Sequence, residues 1–264
     1  MIPFRLRFAA ERLFSLSYHR KLGSVLDNPL HFYSALLRTL PPGLHFKPIR
    51  LSLKNGGSIP IPDFWTLFVF DEVHIERCYE VPEIMRRGPF DGIIDVGANV
   101  GIFTIRAKQL WPKAKIISIE PEPANFARLS DLVSRNSLSD AHPLQIGIGA
   151  ECGCAELHLG GRNIAGHSMY KNAGSTETIS IPIKTIGGIL EEHNMQGQVM
   201  VKIDCEGCEH PLIQSLTPDV AKRISCIVIE PERGIGFSMD DMLSKLRGLG
   251  FILADDGHFV TAVR

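Results

Sequence analysis

From residue 91 onward, short apolar runs alternate with stretches of helical periodicity, and this alternation restricts the possible folds more than any other feature of the chain. Strands that alternate with helices typically form a parallel sheet with crossovers on both faces. Asp256-Gly257 is a hairpin turn between the last two runs, so one strand should be antiparallel. The sequence therefore predicts a Rossmann-like α/β fold, with a mostly parallel sheet, one antiparallel strand and helices on both faces. The apolar runs are Gly92–Val96, 115–120, 144–149, 199–204, 226–230, 251–254 and 259–263.

The chain before this pattern predicts an extension made of helices and a hairpin. Residues 1–48 read as two helices, and a hairpin follows with Asn55-Gly56 as its turn. We therefore predict two domains: an N-terminal helical and hairpin extension over residues 1–62, and the α/β domain over residues 63–264.

Two other stretches are harder to assign. Residues 65–79 are mostly apolar with regularly spaced acids, and both helix and strand are compatible with them. Residues 150–185 are rich in Gly, Ser, Thr and Asn and show little helical period. Because long irregular segments in compact domains are often functional, we expect residues 150–185 to form a partly extended excursion after the third strand, near the functional site.

The charge distribution bears on possible partners. The net charge is −1, so no global field favours nucleic acid as a partner. Residues 1–50, however, hold eight Lys and Arg against Glu11 and Asp27. These charges are typical of solvated helical faces. The alternative is an amphipathic helix over residues 2–22 that contacts a membrane surface. No apolar run approaches the ~18 residues that a transmembrane helix needs.

Six cysteines occur in a chain without an export signal, which predicts reduced thiols in a cytoplasmic protein. The pairs Cys152-x-Cys154 and Cys205-x-x-Cys208 together could supply four zinc ligands, and the second pair could be a redox motif. Neither pair has the spacing of its usual partner, so we expect inert thiols and no metal.

A glycine turn marks the predicted cofactor site. In IIDVGANVGIFT, an apolar strand that ends with Asp95 leads through Gly97, Asn99 and Gly101 into a helix. Ligands of open α/β sheets bind beyond the carboxyl ends of the strands. The next strand ends at Glu120, whose carboxylate can accept hydrogen bonds from both hydroxyls of a ribose. Together these five residues predict a site for a cationic nucleoside without phosphate, and S-adenosylmethionine has that chemistry.

The run VMVKIDCEGCE carries the predicted catalytic residues. Lys202 and Asp204 are two residues apart on a predicted strand and therefore share a face. Two charges on a central parallel strand are costly unless they are paired or used. Asp204 could hold the cofactor amino group or remove a substrate proton, and Lys202 could orient Asp204 or lower the pKa of a hydroxyl. Glu206 and, in the excursion, His167 are further candidate bases.

These segments resemble those of the FkbM family of methyltransferases, over a region that runs from about residue 65 to residue 232. FDGIIDVGANVGIFT resembles the first motif of the family and ISIEPEP its ribose-binding acid motif. VKIDCEGCE is similar to the signature lKIDvEGaE, the most specific element. DEVHIERCYE resembles the segment before the first strand, and NIAGHSM, with Asn163 and Ser168, resembles the loop after the third strand.

The resemblance implies a seven-stranded methyltransferase sheet and O-methylation of a hydroxyl on a sugar, polyketide or related metabolite. It also implies that Gly97, Asn99 and Glu120 bind the cofactor and that Asp204 and Glu206 belong to the active site. The expected partner is thus a small-molecule or glycan hydroxyl acceptor. Two alternatives remain at this point: a catalytically silent S-adenosylmethionine-binding module and an NAD-dependent oxidoreductase. The G-x-x-x-G spacing and the Asp95 carboxylate disfavour the oxidoreductase.

Overall fold

The computed structural model describes residues 3–41, 47–160, 175–205, 207–232 and 238–264. It divides the chain into two compact units, Met1–Cys78 and Tyr79–Arg264. Residues 63–78, which the sequence assigns to the second domain, thus lie in the first unit. The predicted two-domain division itself stays a prediction.

The first unit contains helices and a hairpin, and polar residues cap several of its helices. Ser15 accepts a hydrogen bond from the Tyr18 N–H, and Asp63 accepts one from the Thr66 N–H, which are the usual N-cap contacts. The unit has three helices before the hairpin, where two were predicted. Its elements are α1 (Phe4–Leu13), α2 (Leu16–Val25), α3 (Pro29–Thr39), β1 (Ile49–Ser52), β2 (Ser58–Ile61), α4 (Phe64–Phe70) and a π-helical turn (Asp71–Glu76).

The second unit begins with helices and strands that alternate as predicted. Glu122 caps its longest helix with a Pro in the first helical position, and Thr185, Thr217 and Ser238 cap three later helices. The elements are α5 (Pro82–Arg87), β3 (Gly92–Val96), α6 (Ile102–Leu110), β4 (Lys115–Ile119), α7 (Pro123–Arg135), β5 (Ala141–Leu144), β6 (Gly147–Ile148), β7 (Gly153–Gly160), β8 (Ser175–Lys184), α8 (Ile186–Glu192), β9 (Val199–Ile203), α9 (Glu209–Ser215), α10 (Pro218–Lys222), β10 (Cys226–Ile229), α11 (Met239–Gly248), β11 (Ile252–Asp255) and β12 (Val260–Val263).

The main sheet has seven strands in the order β11-β12-β10-β9-β3-β4-β5. Only β12 runs against its neighbours, because β10 and β11 both pair with it antiparallel while the other pairs are parallel. Every residue of β3, β9 and β10 is buried, as expected for strands covered on both faces. The predicted Rossmann-like sheet with one antiparallel strand is confirmed.

One face of this sheet packs into an extensive apolar core. Alternate residues of β3 and β9 point into it, among them Ile94, Val96 and Val201, together with apolar side chains of α8, α9 and α11. The other set of alternate residues includes Asp95 and Lys202, so the charged pair lies on the opposite face from this core.

One strand assignment was wrong. The third strand of the sheet is β5, at residues 141–144 rather than 144–149. It is an edge strand, which tolerates His142 and Pro143, the two residues that interrupt its apolar run. Within residues 150–185, which were expected to be partly extended, β7 and β8 pair antiparallel and bury Leu157, Ile181 and Ile183. Residues 65–79, left open between helix and strand, are helical as far as Glu76.

Of the helices in the described part of the chain, none combines the length and the apolar character needed to cross a bilayer.

Candidate functional site

Asp95 and Lys202 face each other across the two central strands, since β3 and β9 run parallel with these residues in register. The Lys202 Nζ lies 3.2 Å from Asp95 Oδ1, and the Thr104 hydroxyl donates to Asp95 Oδ2 at 2.9 Å. Asp95 is completely buried and Lys202 nearly so. Burial acts against the charged ammonium, but Asp204 and Asp95 outweigh it, so the pKa of Lys202 is raised. Lys202 is therefore a fixed cation.

Asp204 follows β9 and is the more accessible partner of this cation. Its Oδ2 lies 3.3 Å from Lys202 Nζ, and its side chain keeps 33% of its surface exposed. The Lys202 ammonium also donates to the Gly97 carbonyl oxygen at 2.9 Å, so it lies between two carboxylates and one carbonyl group. This arrangement makes Lys202 a positioning residue for Asp204 and for the glycine turn.

Tyr79 is a member of the site that the sequence analysis did not single out. Its hydroxyl donates to Asp204 Oδ2 at 3.1 Å. Its ring packs against Phe103 and Phe259, with centroids 5.0 and 5.1 Å away, and Lys202 Nζ lies 5.7 Å from the ring centre. The only signal for it was its place in the segment DEVHIERCYE, which precedes the first strand of the sheet.

The glycines of the turn are required by contacts within the protein. Gly97 has a φ of +77°, and a Cβ there would lie 1.7 Å from the Asp204 carbonyl oxygen. Gly101 has a φ of +91°, and its Cβ would lie 2.8 Å from side-chain atoms of Leu129 and Leu132 in α7. Neither glycine can be replaced without moving a neighbour. Cofactor binding by Gly97 and Gly101 stays a prediction.

Asn99 and Glu120 join the turn to the end of the neighbouring strand. The Asn99 N–H donates to Glu120 Oε2 at 2.9 Å, and the Glu122 N–H donates to Oε1 at 3.0 Å. Burial raises the pKa of Glu120 to about 7, although these two N–H groups lower it in part. Asn99 has a φ of +49°, and its buried Oδ1 has no hydrogen-bond partner among the described residues.

The loop after Asp204 is closed by a disulfide bond between Cys205 and Cys208. The prediction of six reduced thiols was therefore wrong for this pair, because the turn into α9 brings the two Cα atoms to 5.6 Å, within bonding reach. Cysteines in a disulfide cannot act as thiolate ligands, which removes the four-cysteine zinc alternative for this state. The cytoplasmic location, which rested on reduced thiols, stays a prediction.

Glu209 holds the same loop through hydrogen bonds to its backbone. Its carboxylate accepts the N–H groups of Cys205 at 3.0 Å and of Gly207 at 2.9 Å. Glu206, which lies between them, is outside the described residues, as are Asn163, His167 and Ser168. Their predicted roles thus stay predictions.

Glu230 is a second residue that the sequence analysis missed. It follows β10 directly, and its N–H donates to the Ile203 oxygen at 2.9 Å, beside Asp204. Its carboxylate lies 3.5 Å from His258 Nε2. Burial and, next, the negative charge of Asp204 raise the pKa of Glu230 to about 7. The sequence does not indicate that the Glu230 carboxyl lies near Asp204, because only the pairing of β9 with β10 brings these two residues together.

The structure thus gathers those predicted residues that it describes at the carboxyl end of the sheet, where β3, β4 and β9 end. Asp204 and Glu120 belong to loops that meet the glycine turn, at Gly97 and Asn99 respectively. Asp95 is also close, but its carboxylate faces Lys202 and Thr104 and has no exposed surface. Direct contact between Asp95 and a cofactor stays a prediction.

A seven-stranded sheet of this order, with a glycine turn after its first strand and acids at the ends of the next ones, defines a Rossmann-like protein of the methyltransferase class. A model of the methyltransferase FkbM domain matches residues 95–253, more than half of the chain. The chain belongs to the FkbM methyltransferase family.

Curated relatives carry names from the same class. The chain is 25% identical over 194 residues to methyltransferase sdnD of Sordaria araneosa, with 62% of this chain and 73% of the relative covered. It is 23% identical over 231 residues to the 31-O-demethyl-FK506 methyltransferase FkbM of Streptomyces tacrolimicus, with 76% and 88% covered.

Solved structures are more distant. Magnesium protoporphyrin IX methyltransferase from Synechocystis PCC 6803, with bound SAM, has 12% identity and a TM-score of 0.41, with 76% of this chain and 84% of that chain covered. Fibrillarin from Aeropyrum pernix, with natively bound S-adenosyl-L-methionine, has 13% identity and a TM-score of 0.38, with 67% and 68% covered.

Proposed function

We propose that this protein is an S-adenosylmethionine-dependent O-methyltransferase whose acceptor is a hydroxyl of a small molecule or glycan. The observation that carries the proposal is the place of Asp204. Its partly exposed carboxylate lies beside the glycine turn, and a buried Lys202 and the Tyr79 hydroxyl hold it in position.

The residues around the turn fit the proposed cofactor. Asn99 Oδ1 is a buried acceptor that lacks a donor among the described residues, and the adenine or amino group of a nucleoside cofactor can supply one. Each Glu120 oxygen already accepts one backbone N–H and retains capacity for a ribose hydroxyl. Among the described residues around the turn, carboxylates predominate and the cation Lys202 is already paired with Asp95 and Asp204, which suits a cationic ligand better than a phosphate.

S-adenosylmethionine supplies an electrophilic methyl group on a sulfonium. When the acceptor oxygen forms its bond to that methyl carbon, the carbon–sulfur bond breaks and the acceptor proton must leave. We assign its removal to Asp204, since a positioned base contributes roughly 10²–10⁴-fold to the rate. Lys202 and Tyr79 fix the orientation of that carboxylate, and alignment of the two reactants accounts for roughly 7–11 kcal/mol of the barrier.

A relative supports the choice of oxygen as the acceptor atom. The Streptomyces tacrolimicus protein is named for a substrate, 31-O-demethyl-FK506, that lacks a methyl group on an oxygen. We propose the same reaction type and the class of hydroxyl acceptors for this chain, but not that particular substrate.

Two measurements test this function. Calorimetry should detect binding of S-adenosylmethionine and none of NAD; binding of NAD instead would support the oxidoreductase alternative. Incubation with a panel of hydroxylated acceptors should release S-adenosylhomocysteine, and Asp204→Asn should lower that turnover roughly 10²–10⁴-fold without unfolding the protein. The matched control is Asp219→Asn, an exposed aspartate in α10. Wild-type turnover in Asp204→Asn would remove Asp204 from the mechanism, and cofactor binding without turnover on any acceptor would favour a silent module.

A further inference from the structure

Exposed apolar side chains concentrate at the start of the chain. Nine large apolar residues are exposed among those the structure describes, and seven of them lie between Phe4 and Leu37. The most exposed are Phe14 at 87% and Leu16 at 76%, which flank the junction of α1 and α2. Isolated exposed leucines need no explanation, but a concentration of this kind marks a binding surface.

Four exposed apolar residues in α1 and at its C-cap follow helical spacing. Leu6, Ala10, Leu13 and Phe14 are related by intervals of four, seven and eight residues, so they form one stripe along the helix. We call these four residues, with Leu16, the apolar stripe. Because α1 is ten residues long, about 15 Å, the stripe is too short to cross a bilayer and can only lie along a surface.

The opposite side of α1 already has its packing partners. The Phe8 ring lies 5.4 Å from the Phe64 ring and 5.5 Å from the Phe68 ring, and the Arg12 guanidinium stacks 4.0 Å from the centre of Phe8. Arg12 also binds the buried Asp71 carboxylate at 2.7 Å. The helix is thus anchored through its inner side, while the stripe is left in water.

Positive charge exceeds negative charge in the segment that carries the stripe. Residues 1–50 contain eight Lys and Arg and only two acids, and two of the eight, Arg12 and Lys21, are paired with Asp71 and Glu76. One acid, Glu11, lies within 4.0 Å of both Arg7 and Arg12, so its charge is compensated. Arg7 and Arg20 are exposed beside the stripe. Exposed apolar groups flanked by cations complement a surface that is apolar beneath and anionic above, which describes an anionic membrane.

We propose that the segment Phe4–Val25 docks this protein on an anionic lipid surface. The apolar stripe enters the boundary between headgroups and acyl chains, and Arg7 and Arg20 contact the lipid phosphates. The helices lie in the plane of the membrane. This docking concerns the first unit alone and is independent of the methyl-transfer chemistry of the second.

Vesicle co-sedimentation of the full-length protein tests the proposal. Wild type should bind vesicles of phosphatidylcholine mixed with phosphatidylglycerol at least roughly tenfold more tightly than vesicles of phosphatidylcholine alone, and added salt should weaken that binding. The variant Leu13→Gln/Phe14→Gln/Leu16→Gln should bind the mixed vesicles roughly tenfold or more weakly. Arg7→Glu/Arg20→Glu should lose the preference for the anionic lipid.

Matched controls distinguish docking through the apolar stripe from nonspecific binding and from misfolding. Ile252→Gln removes an apolar side chain that is 74% exposed in β11, and Lys222→Glu reverses an exposed charge in α10; both should bind vesicles like wild type. All variants should keep the wild-type unfolding temperature, because only exposed side chains change. Equal binding by wild type and the triple variant would overturn the proposal. So would a lipid-free dimer, seen by light scattering, that the triple variant abolishes, since the stripe would then be a contact between copies of this chain.

Discussion

The Tyr79 hydroxyl donates a 3.1 Å hydrogen bond to Oδ2 of Asp204, the same oxygen that lies 3.3 Å from the Lys202 ammonium. One oxygen of the carboxylate thus meets both a phenol hydroxyl and an ammonium group. These two contacts hold the orientation of the proposed base, and the variants below are chosen to separate them.

Tyr79→Phe should lower kcat about tenfold and leave the KM for the cofactor nearly unchanged. The substitution removes one hydrogen bond to a charged group, worth about 1.5–3 kcal/mol, while the ring keeps its packing against Phe103 and Phe259. Steady-state kinetics measure the effect, because loss of a donor to Asp204 should appear in kcat rather than in the KM for the cofactor. Tyr33→Phe, in α3, is the matched control. An unchanged kcat in Tyr79→Phe would make the tyrosine a packing residue only.

Lys202→Met should destabilise the fold by about 3–5 kcal/mol, since it leaves the buried Asp95 carboxylate without its cation. Burial raises the pKa of Asp95 even with Lys202 present, and loss of the cation raises it further. A carboxyl whose pKa is higher in the folded than in the unfolded state favours folding at low pH and opposes it as pH rises through the folded pKa.

The deficit of Lys202→Met against wild type should therefore be larger at neutral than at mildly acid pH in urea unfolding experiments. The double variant Asp95→Asn/Lys202→Met should recover much of the stability without recovering turnover. If the double variant is as unstable as the single one, the ion pair is not the cause.

Cofactor affinity should rise with pH near neutrality because of Glu120. Its pKa of about 7 means that half of the free protein holds the acid form there, whereas ribose hydroxyls donate more strongly to the carboxylate. Binding then favours loss of the proton, so affinity increases about tenfold between about pH 6 and pH 8 and levels off above. Calorimetry over this range checks it. Glu120→Gln should bind the cofactor more weakly, and its affinity should no longer show the rise with pH that the Glu120 carboxyl causes.

Loss of the disulfide should reduce stability modestly. A bond that closes a loop of only four residues contributes about 2 kcal/mol through the unfolded chain. Cys205→Ser/Cys208→Ser should lower the free energy of unfolding by that amount, and Cys152→Ser/Cys154→Ser, at exposed free cysteines, should not. Thiol titration of the unfolded, unreduced protein should count four free thiols; six would contradict the bond.

The sequence predicted the sheet because β3, β9 and β10 are buried on both faces and therefore appear as apolar runs. It misplaced the edge strand β5, whose residues pair on one side only. For the β7–β8 pair it indicated only partly extended backbone, because polar residues obscure the alternation of Leu157, Ile181 and Ile183. An apolar pattern in the sequence reflects burial, so strands that are little buried are hard to predict from the sequence.

For the site, the motifs predicted that Glu120 meets the glycine turn and that Lys202 and Asp204 share a face. Tyr79 and Glu230 could not be predicted, since each reaches Asp204 or its surroundings through tertiary contacts that local spacing does not encode. The burial of Asp95 could not be predicted either. A carboxylate at a strand end can face a ligand or a buried cation, and here the register of β3 and β9 places it against Lys202.

The contact between Gly97 and the Asp204 carbonyl has a consequence for how this protein can change over evolutionary time. The two residues lie far apart in the chain, yet no methyl group fits between their backbones. The carbonyl group is common to all residue types, so the restriction falls on position 97, which accepts glycine alone unless a backbone moves, whatever side chain position 204 carries. Segments that do not touch this contact are free of the restriction, and sequence changes can accumulate there at less cost.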